Sequence, residues 1–446
     1  MEKAKDKKRF RLTTFQIIVT GFAALILAGT LLLMLPFSST EPGCAPFSDC
    51  LFTATSAVCV TGLVVRDTAT GWTPFGQAVI LILIQTGGMG VVTMAVVLSF
   101  LSGRRIGLMQ RSVMAESISA PQVGGILKLT RFIVVTSLCI EGLGAVALLL
   151  PMIFRFGPVR GIWYALFHSV SAFCNAGFDL MGIREPYSSL TGFAQDPWVN
   201  AVIMILITVG GIGFLVWNDF REHGLHFRHY RLQSKIVLLT SAILVVFPAL
   251  WILLFELPEL SVGQRILPAL FQSVTLRTAG FNTVSLNLFS DSGQALMIMW
   301  MLIGGSPGST AGGMKTTTVA VLLMTAWAVF RRKDQITCFG RRIGEEAVRH
   351  VLAILLMYAC LFYTGAVAIS HIERLPLLTC MFETASAVGT VGVTLGITSH
   401  LGQVSRFILI VLMFLGRVGG LTLIYAAQPI RPSVNSAYPL ERVTVG

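Results

Sequence analysis

Four short apolar segments of the chain each run into a glycine: LFTATSAVCVTGL from Leu51, LFHSVSAFCNAGF from Leu166, LFQSVTLRTAGF from Leu270 and MFETASAVGTVGV from Met381. The glycine arrives after nearly the same interval in each, one residue sooner in the third. Glycine accepts a positive φ and has no side chain, so it suits a turn whose backbone must stay open on one side. A helix ending at such a turn presents the partial negative charge of its C-terminus, which favours a cation. Carbonyl oxygens from four such turns, gathered round one axis, can replace the hydration shell of an ion. The residues that would supply them are Val60, Thr61 and Gly62; Asn175, Ala176 and Gly177; Thr278, Ala279 and Gly280; and Thr390, Val391 and Gly392. One such segment alone reads as a loop glycine beside an interfacial helix. Four in register favour ion binding.

A second string, GGSPGSTAGGMK, lies inside an apolar run. Its Gly304, Gly305, Ser306, Pro307, Gly308, Ser309, Thr310, Ala311, Gly312 and Gly313 do not sustain a helix, since each interior glycine costs about 1 kcal/mol and a proline about 3. The run is therefore expected to break into two helices joined by a loop, with a proline kink used only for packing as the alternative. Lys315 follows the break. A charge at bilayer depth costs roughly 2.5–3.5 kcal/mol, so it should face an aqueous path or a partner. Arg417, in FLGRVGGLTL, is a second cation at that depth, with a structural interhelical donor as its plainer role. Complementary charge suggests a pair between Arg277 and Glu383. Glu141 is expected to be a helix–helix hydrogen-bond donor when protonated.

The elements that must position these residues follow from hydropathy. The chain is 54% hydrophobic and 12% charged, with a mean hydropathy of +0.78 over 446 residues. A soluble protein keeps about a quarter of its residues charged, so most of this exterior must face lipid. Runs of about 20 apolar residues lie near 15–37, 75–101, 132–154, 199–217, 236–255, 295–330, 351–369 and 407–425. Between the members of each successive pair sits a shorter segment, near 45–60, 159–174, 262–276 and 376–388. The order is span, short segment, glycine, span, four times over. Later spans carry a second echo, GGMG at Gly87, GGIG at Gly210, GGMK at Gly312 and GGLT at Gly419. Such repetition marks a duplicated unit. The expected fold is an all-α integral membrane protein of eight transmembrane helices plus four re-entrant pore helices. Its four pseudo-repeats would be 1–105, 106–218, 219–333 and 334–446, each a span, a pore helix and a span around a central pore. The first apolar run is too long for a cleavable signal peptide.

The formal charge of +12 follows topology rather than nucleic acid. Twenty-three of the 33 basic residues fall in the N-terminal segment, the linkers after even-numbered spans and the C-terminal segment, which the positive-inside rule makes cytoplasmic. Of the eight cysteines, Cys44 and Cys50 share a polar loop, and the sequence leaves open whether they join. His223, His226 and His229 drift round a helix beside Arg221 and Arg228, which argues against a metal. Trp72, Trp163, Trp198, Trp217 and Trp327 fall near expected membrane boundaries, as in an aromatic belt.

The strings ATSAVCVTG, HSVSAFCNAGF, TLRTAGFNTV, SAVGTVG and above all GGSPGSTAGGMKTTT resemble the potassium-transporter superfamily that includes the bacterial Ktr and Trk systems and plant and fungal relatives. The resemblance spans essentially the whole chain and, with eight spans, leans toward the membrane subunits of the Ktr branch. It implies a potassium-selective filter, since serine at the first filter position accompanies sodium. It further implies that Gly304–Lys315 is an intramembrane gate faced by Arg417. A homodimer with a pore in each protomer is implied, as is a cytosolic nucleotide-binding regulatory subunit, a KtrA-like octameric ring. That ring would dock on the linkers 103–131, 218–235 and 331–349. Sodium is implied as an activator and nucleotide as a ligand of the partner, with no cofactor in this chain beyond transported potassium. A Trk-like carrier coupled to sodium or protons is the alternative, needing acidic residues at midplane. An enzyme is excluded on the residues, because no nucleophile–base set or metal cluster sits at one depth, and GGMKTTT lacks phosphate-loop spacing.

Overall fold

The computed structural model describes residues 13–91, 93–94, 107–118, 124–258, 260–419, 422 and 425–426. The basic run at 1–11, the start of the linker at 103–106 and the segment beyond 426 lie outside them.

In chain order, α1 (Thr14–Leu33) leads to a short helix α2 (Phe47–Val58) and then α3 (Pro74–Met89). After α4 (Leu108–Ser117) come α5 (Ile126–Phe156), short α6 (Pro158–Phe173), α7 (Pro197–Gly211) and α8 (Phe214–His223). Next are α9 (Leu232–Phe255), short α10 (Val262–Thr275), α11 (Asp291–Met301) and α12 (Thr316–Phe330). A small hairpin, β1 (Thr337–Cys338) against β2 (Arg341–Arg342), precedes α13 (Glu345–Glu373), short α14 (Leu377–Gly389) and α15 (Gln403–Val418).

Among the described residues α1, α5, α9 and α13 are each long and apolar enough to cross a membrane. In α5, Ile133, Ser137, Glu141, Gly144, Leu148 and Met152 recur at helical spacing on the buried side. Leu143 and Phe154 stand 71% and 82% exposed on the other. Each Å² of such surface would cost about 25 cal/mol in water, and lipid removes that penalty.

The intervening spans are shorter than the apolar runs suggest. Where a single span was expected over 199–217, α7 and α8 meet at 94°, with Gly213 at φ +100 supplying the bend. Similarly α3 ends at Met89, capped by Gly90 at φ +86, with helical backbone again at 91 and 93–94, and the end of the expected run over 75–101 lies outside the described residues. Between α11 and α12 the expected break is present. Local chemistry sets the starts: Thr73 caps α3 with proline next, Asp196 caps α7 in the same way, and Ser290 caps α11. Gly157 at φ +81, followed by Pro158, folds α6 straight back on α5.

Candidate functional site

Each short helix buries its C-terminal half, and the turn beyond it has the same backbone. Val60, Asn175, Thr278 and Thr390 all take left-handed φ values, 55, 59, 64 and 52°, a conformation that costs about 1–3 kcal/mol away from glycine. Two residues on, Gly62, Gly177, Gly280 and Gly392 are again at positive φ. Thr61, Ala176 and Val391 donate their N–H groups to Ser56, Ser171 and Ser386 oxygens at 2.8 Å. In the third segment Ala279 reaches Thr275 at 2.9 Å, one residue nearer, which absorbs the shorter interval.

The four glycines meet. A Cβ built on Gly62 would lie 2.5 Å from the Ala176 oxygen, and one on Gly177 would lie 2.7 Å from the Gly280 Cα. One on Gly280 would lie 2.8 Å from the Val391 oxygen, and one on Gly392 would overlap the Thr61 oxygen. These contacts close a ring in the order Gly62, Gly177, Gly280, Gly392. No side chain fits there. On one side the ring floors a cavity of about 370 Å³, bordered by Asp67, Asp179 and Ser189.

The loop between α11 and α12 lies against the ring. A Cβ on Gly312 would overlap the Thr390 hydroxyl, and Thr310 Oγ1 donates to Asn175 Oδ1 at 3.1 Å. Its backbone is anchored to the neighbouring helix end: Ser306 N–H to Gly211 O at 3.1 Å, Thr310 N–H to Gly210 O at 3.3 Å, and Phe214 N–H to Gly308 O at 2.7 Å. Lys315 Nζ folds back onto the Ala311 oxygen at 2.8 Å. Arg417 donates Nη1 to the Thr310 oxygen and Nη2 to the Gly87 oxygen and, at 3.1 Å, the Gly88 oxygen. The arginine thus ties the loop to the end of α3. Beyond the loop, Gly308, Ser309, Lys315 and Arg417 border a second cavity, of about 310 Å³.

A family model described as TrkH, cation transport protein, matches residues 2–437. The chain belongs to this family. As a member of the TrkH family it is a multi-pass membrane transporter and not an enzyme. It is 37% identical to the potassium/sodium uptake protein NtpJ of Enterococcus hirae, covering 99% of both chains. It is 36% identical to Ktr system potassium uptake protein B of Bacillus subtilis, covering 100% of both. The crystal structure of the potassium transporter TrkH from Vibrio parahaemolyticus superposes with a TM-score of 0.74 over 96% of this chain and 87% of that one, at 21% identity, which fixes the fold.

Several expectations for this TrkH-family chain need correction. Arg277 does not pair with Glu383: its Nη2 donates to Ser241 Oγ at 3.0 Å, while Glu383 accepts from Thr394, Leu395 and Thr398. Glu141 does bond across helices, receiving Gln85 Nε2 of α3 at 3.0 Å. Cys44 and Cys50 are both free thiols. Trp72 and Trp217 are buried, so they leave the belt, whereas Trp198 and Trp327 are each 59% exposed. The GGLT echo is three residues out of register. The glycine of α15 that packs on its short helix as Gly87 and Gly210 do is Gly416, against the Val388 oxygen. His223, His226 and His229 cluster with ring centroids 6.0 and 6.1 Å apart, yet no metal-holding group of three or more ligands occurs among the described residues.

Sequence reasoning missed a set of hydroxyls. The sixth residue of every aligned segment is Ser56, Ser171, Thr275 or Ser386. Ser56 Oγ accepts from Gly62 N–H at 3.1 Å and Ser386 Oγ from Gly392 N–H at 3.0 Å. Ser171 and Thr275 donate to the Phe178 and Phe281 oxygens, both at 2.7 Å. Their recurrence in the alignment was the available signal.

Proposed function

We propose that this chain is the ion-conducting subunit of a potassium uptake system in a bacterial cytoplasmic membrane. In this reading the glycine ring is its potassium-selective filter, and the loop from Gly304 to Lys315, with Arg417, is its gate. Four pseudo-repeats, 1–105, 106–218, 219–333 and 334–446, each contribute one pore helix to a central path, and both termini are cytoplasmic. The carrying observation is the closed ring of glycines at positive φ, whose backbone oxygens can substitute for water on an alkali ion. The names of the relatives, potassium/sodium uptake protein and Ktr system potassium uptake protein B, support the same ion class. A potential of 100 mV is worth about 2.3 kcal/mol per charge, which concentrates potassium roughly fifty-fold.

The phrase "Ktr system" in that relative's name speaks for a multi-component complex. We carry this over as a homodimer docked on a cytosolic nucleotide-binding ring, stimulated by sodium. Coupled transport is the weaker reading, because Glu141 and Glu383, the acidic residues at depth, are occupied as hydrogen-bond acceptors.

Gly62→Ser tests the filter. The new Cβ presses on the Ala176 oxygen, so sodium should enter. Uptake assays in which the potassium-to-sodium preference stays at its original value remove the filter assignment.

A further inference from the structure

The third residue of each aligned segment is Thr53, His168, Gln272 or Glu383, and all four are buried to the last percent or two. Two of them perform the same act. Glu383 Oε1 accepts the N–H of Leu395 at 3.1 Å, and Leu395 stands three residues beyond Gly392. His168 Nε2 accepts the N–H of Leu180 at 3.3 Å, and Leu180 stands three residues beyond Gly177. The His168 ring is set for this by its other nitrogen, which donates to the Tyr164 oxygen at 2.7 Å and leaves Nε2 as the acceptor. Glu383 is held more firmly, receiving the hydroxyls of Thr394 and, at 2.8 Å, Thr398 as well. In the third segment Gln272 has neither side-chain atom partnered, and the hydroxyl of Thr283, three residues beyond Gly280, is likewise unpartnered. The Thr53 hydroxyl in the first segment is unpartnered too.

We propose that Glu383 and His168 are positioning residues of the glycine ring: from behind it, each fastens the strand that leaves the ring, and so fixes the spacing of the backbone oxygens that discriminate potassium from sodium. The proposal rests on the filter reading above. Ring glycines have no side chain with which to resist displacement, so their oxygens hold position only as well as the backbone on either side. The sixth-position hydroxyls brace the ring glycine in the first and fourth segments and the residue after it in the second and third. Only in the second and fourth segments does the pore helix itself clasp the chain that leaves the ring. The chain leaving Gly280 is fastened from outside its own segment instead, Asn282 N–H donating to Ser189 Oγ at 3.0 Å, and that leaving Gly62 likewise, Tyr187 Oη donating to the Val65 oxygen at 3.3 Å.

The experiment is rubidium uptake into proteoliposomes holding the purified chain, with sodium as competitor, for Glu383→Ala, Glu383→Gln and Thr398→Val beside Gly62→Ser. Glu383→Ala should cut the rubidium-to-sodium preference about tenfold, equivalent to about 1.4 kcal/mol. Glu383→Gln keeps an acceptor oxygen for Leu395 and should restore most of the preference, which loss of a merely structural side chain would not show. Thr398→Val removes one donor that aims the carboxylate and should give a smaller loss, so the test survives if Glu383→Ala does not fold. Preference within twofold of the original in both Glu383→Ala and Thr398→Val, while Gly62→Ser alters it, overturns the positioning role alone. An unaltered Gly62→Ser overturns the filter reading beneath it.

Discussion

Arg417→Ala is the substitution with the most to say about gating. The guanidinium makes its bond to Thr310 in the loop and its bonds to Gly87 and Gly88 at the end of α3. Only the first reaches the loop proposed as the gate; the others anchor the arginine to α3. A hydrogen bond from a charged donor contributes about 1.5–3 kcal/mol. If the tether exists in the closed arrangement alone, its loss shifts the closed-to-open ratio by roughly ten- to 150-fold. Removing a fixed positive charge beside the path lowers the barrier to cations as well, in the same direction. Arg417→Gln separates the two contributions, since it removes the charge and keeps a donor. Arg417→Lys keeps the charge, but one ammonium does not fork between Thr310 and Gly87 as a guanidinium does. The assay is potassium or rubidium flux into liposomes containing the chain without any partner. Flux in Arg417→Ala within twofold of the parent, in protein that remains monodisperse, refutes the tether.

Deleting Ser309–Ala311 shortens the loop proposed as the gate and should raise flux in the same liposomes; equal or lower flux removes that role. Ser386→Ala leaves the Gly392 N–H without its acceptor, at about 1 kcal/mol, and should reduce potassium preference about fivefold in competition uptake, with no change counting against the brace. Gly210→Ala drives a Cβ into the Phe173 oxygen and should lower the thermal midpoint measured by intrinsic fluorescence; an unchanged midpoint would show that α7 and α6 have room to part.

The ring was legible because its cause is local and repeated. A glycine recurs at the end of four similar helices, and alignment alone reveals it; the left-handed residue two places earlier, a valine, an asparagine or a threonine, gives no such sign. The break between α11 and α12 was legible for an equally local reason, the density of glycine and proline. What the sequence hid was set by geometry across segments. Hydropathy ran through Gly213, so the bend after α7 read as one long span, because a single glycine interrupts the apolar pattern too little to register. The amphipathic helix α4, which buries Val113, Met114 and Ala115, was lost in a linker read only for its charge. The pairing of Arg277 with Glu383 failed because complementary charge says nothing of distance, and each found nearer partners on its own side.

The register of the later spans bears on the same question. Gly87, Gly210 and Gly416 hold one position, each pressed against the oxygen two residues before a left-handed turn, at Val58, Phe173 and Val388. The next residue is Gly88 on α3, Gly211 on α7 and Arg417 on α15. On α3 a side chain is crowded out, for a Cβ on Gly88 would meet Cys174 Sγ at 2.7 Å, whereas on α7 one at Gly211 would make only ordinary contact, with Asn175 Nδ2 at 3.4 Å. Packing therefore asks for a glycine on α3, leaves room for a Cβ on α7, and α15 carries an arginine. It is accommodated because its head extends away from its own helix to the loop and to the end of α3. The arginine at this position is best explained by what it touches, the loop between α11 and α12 that is proposed as the gate and the end of α3.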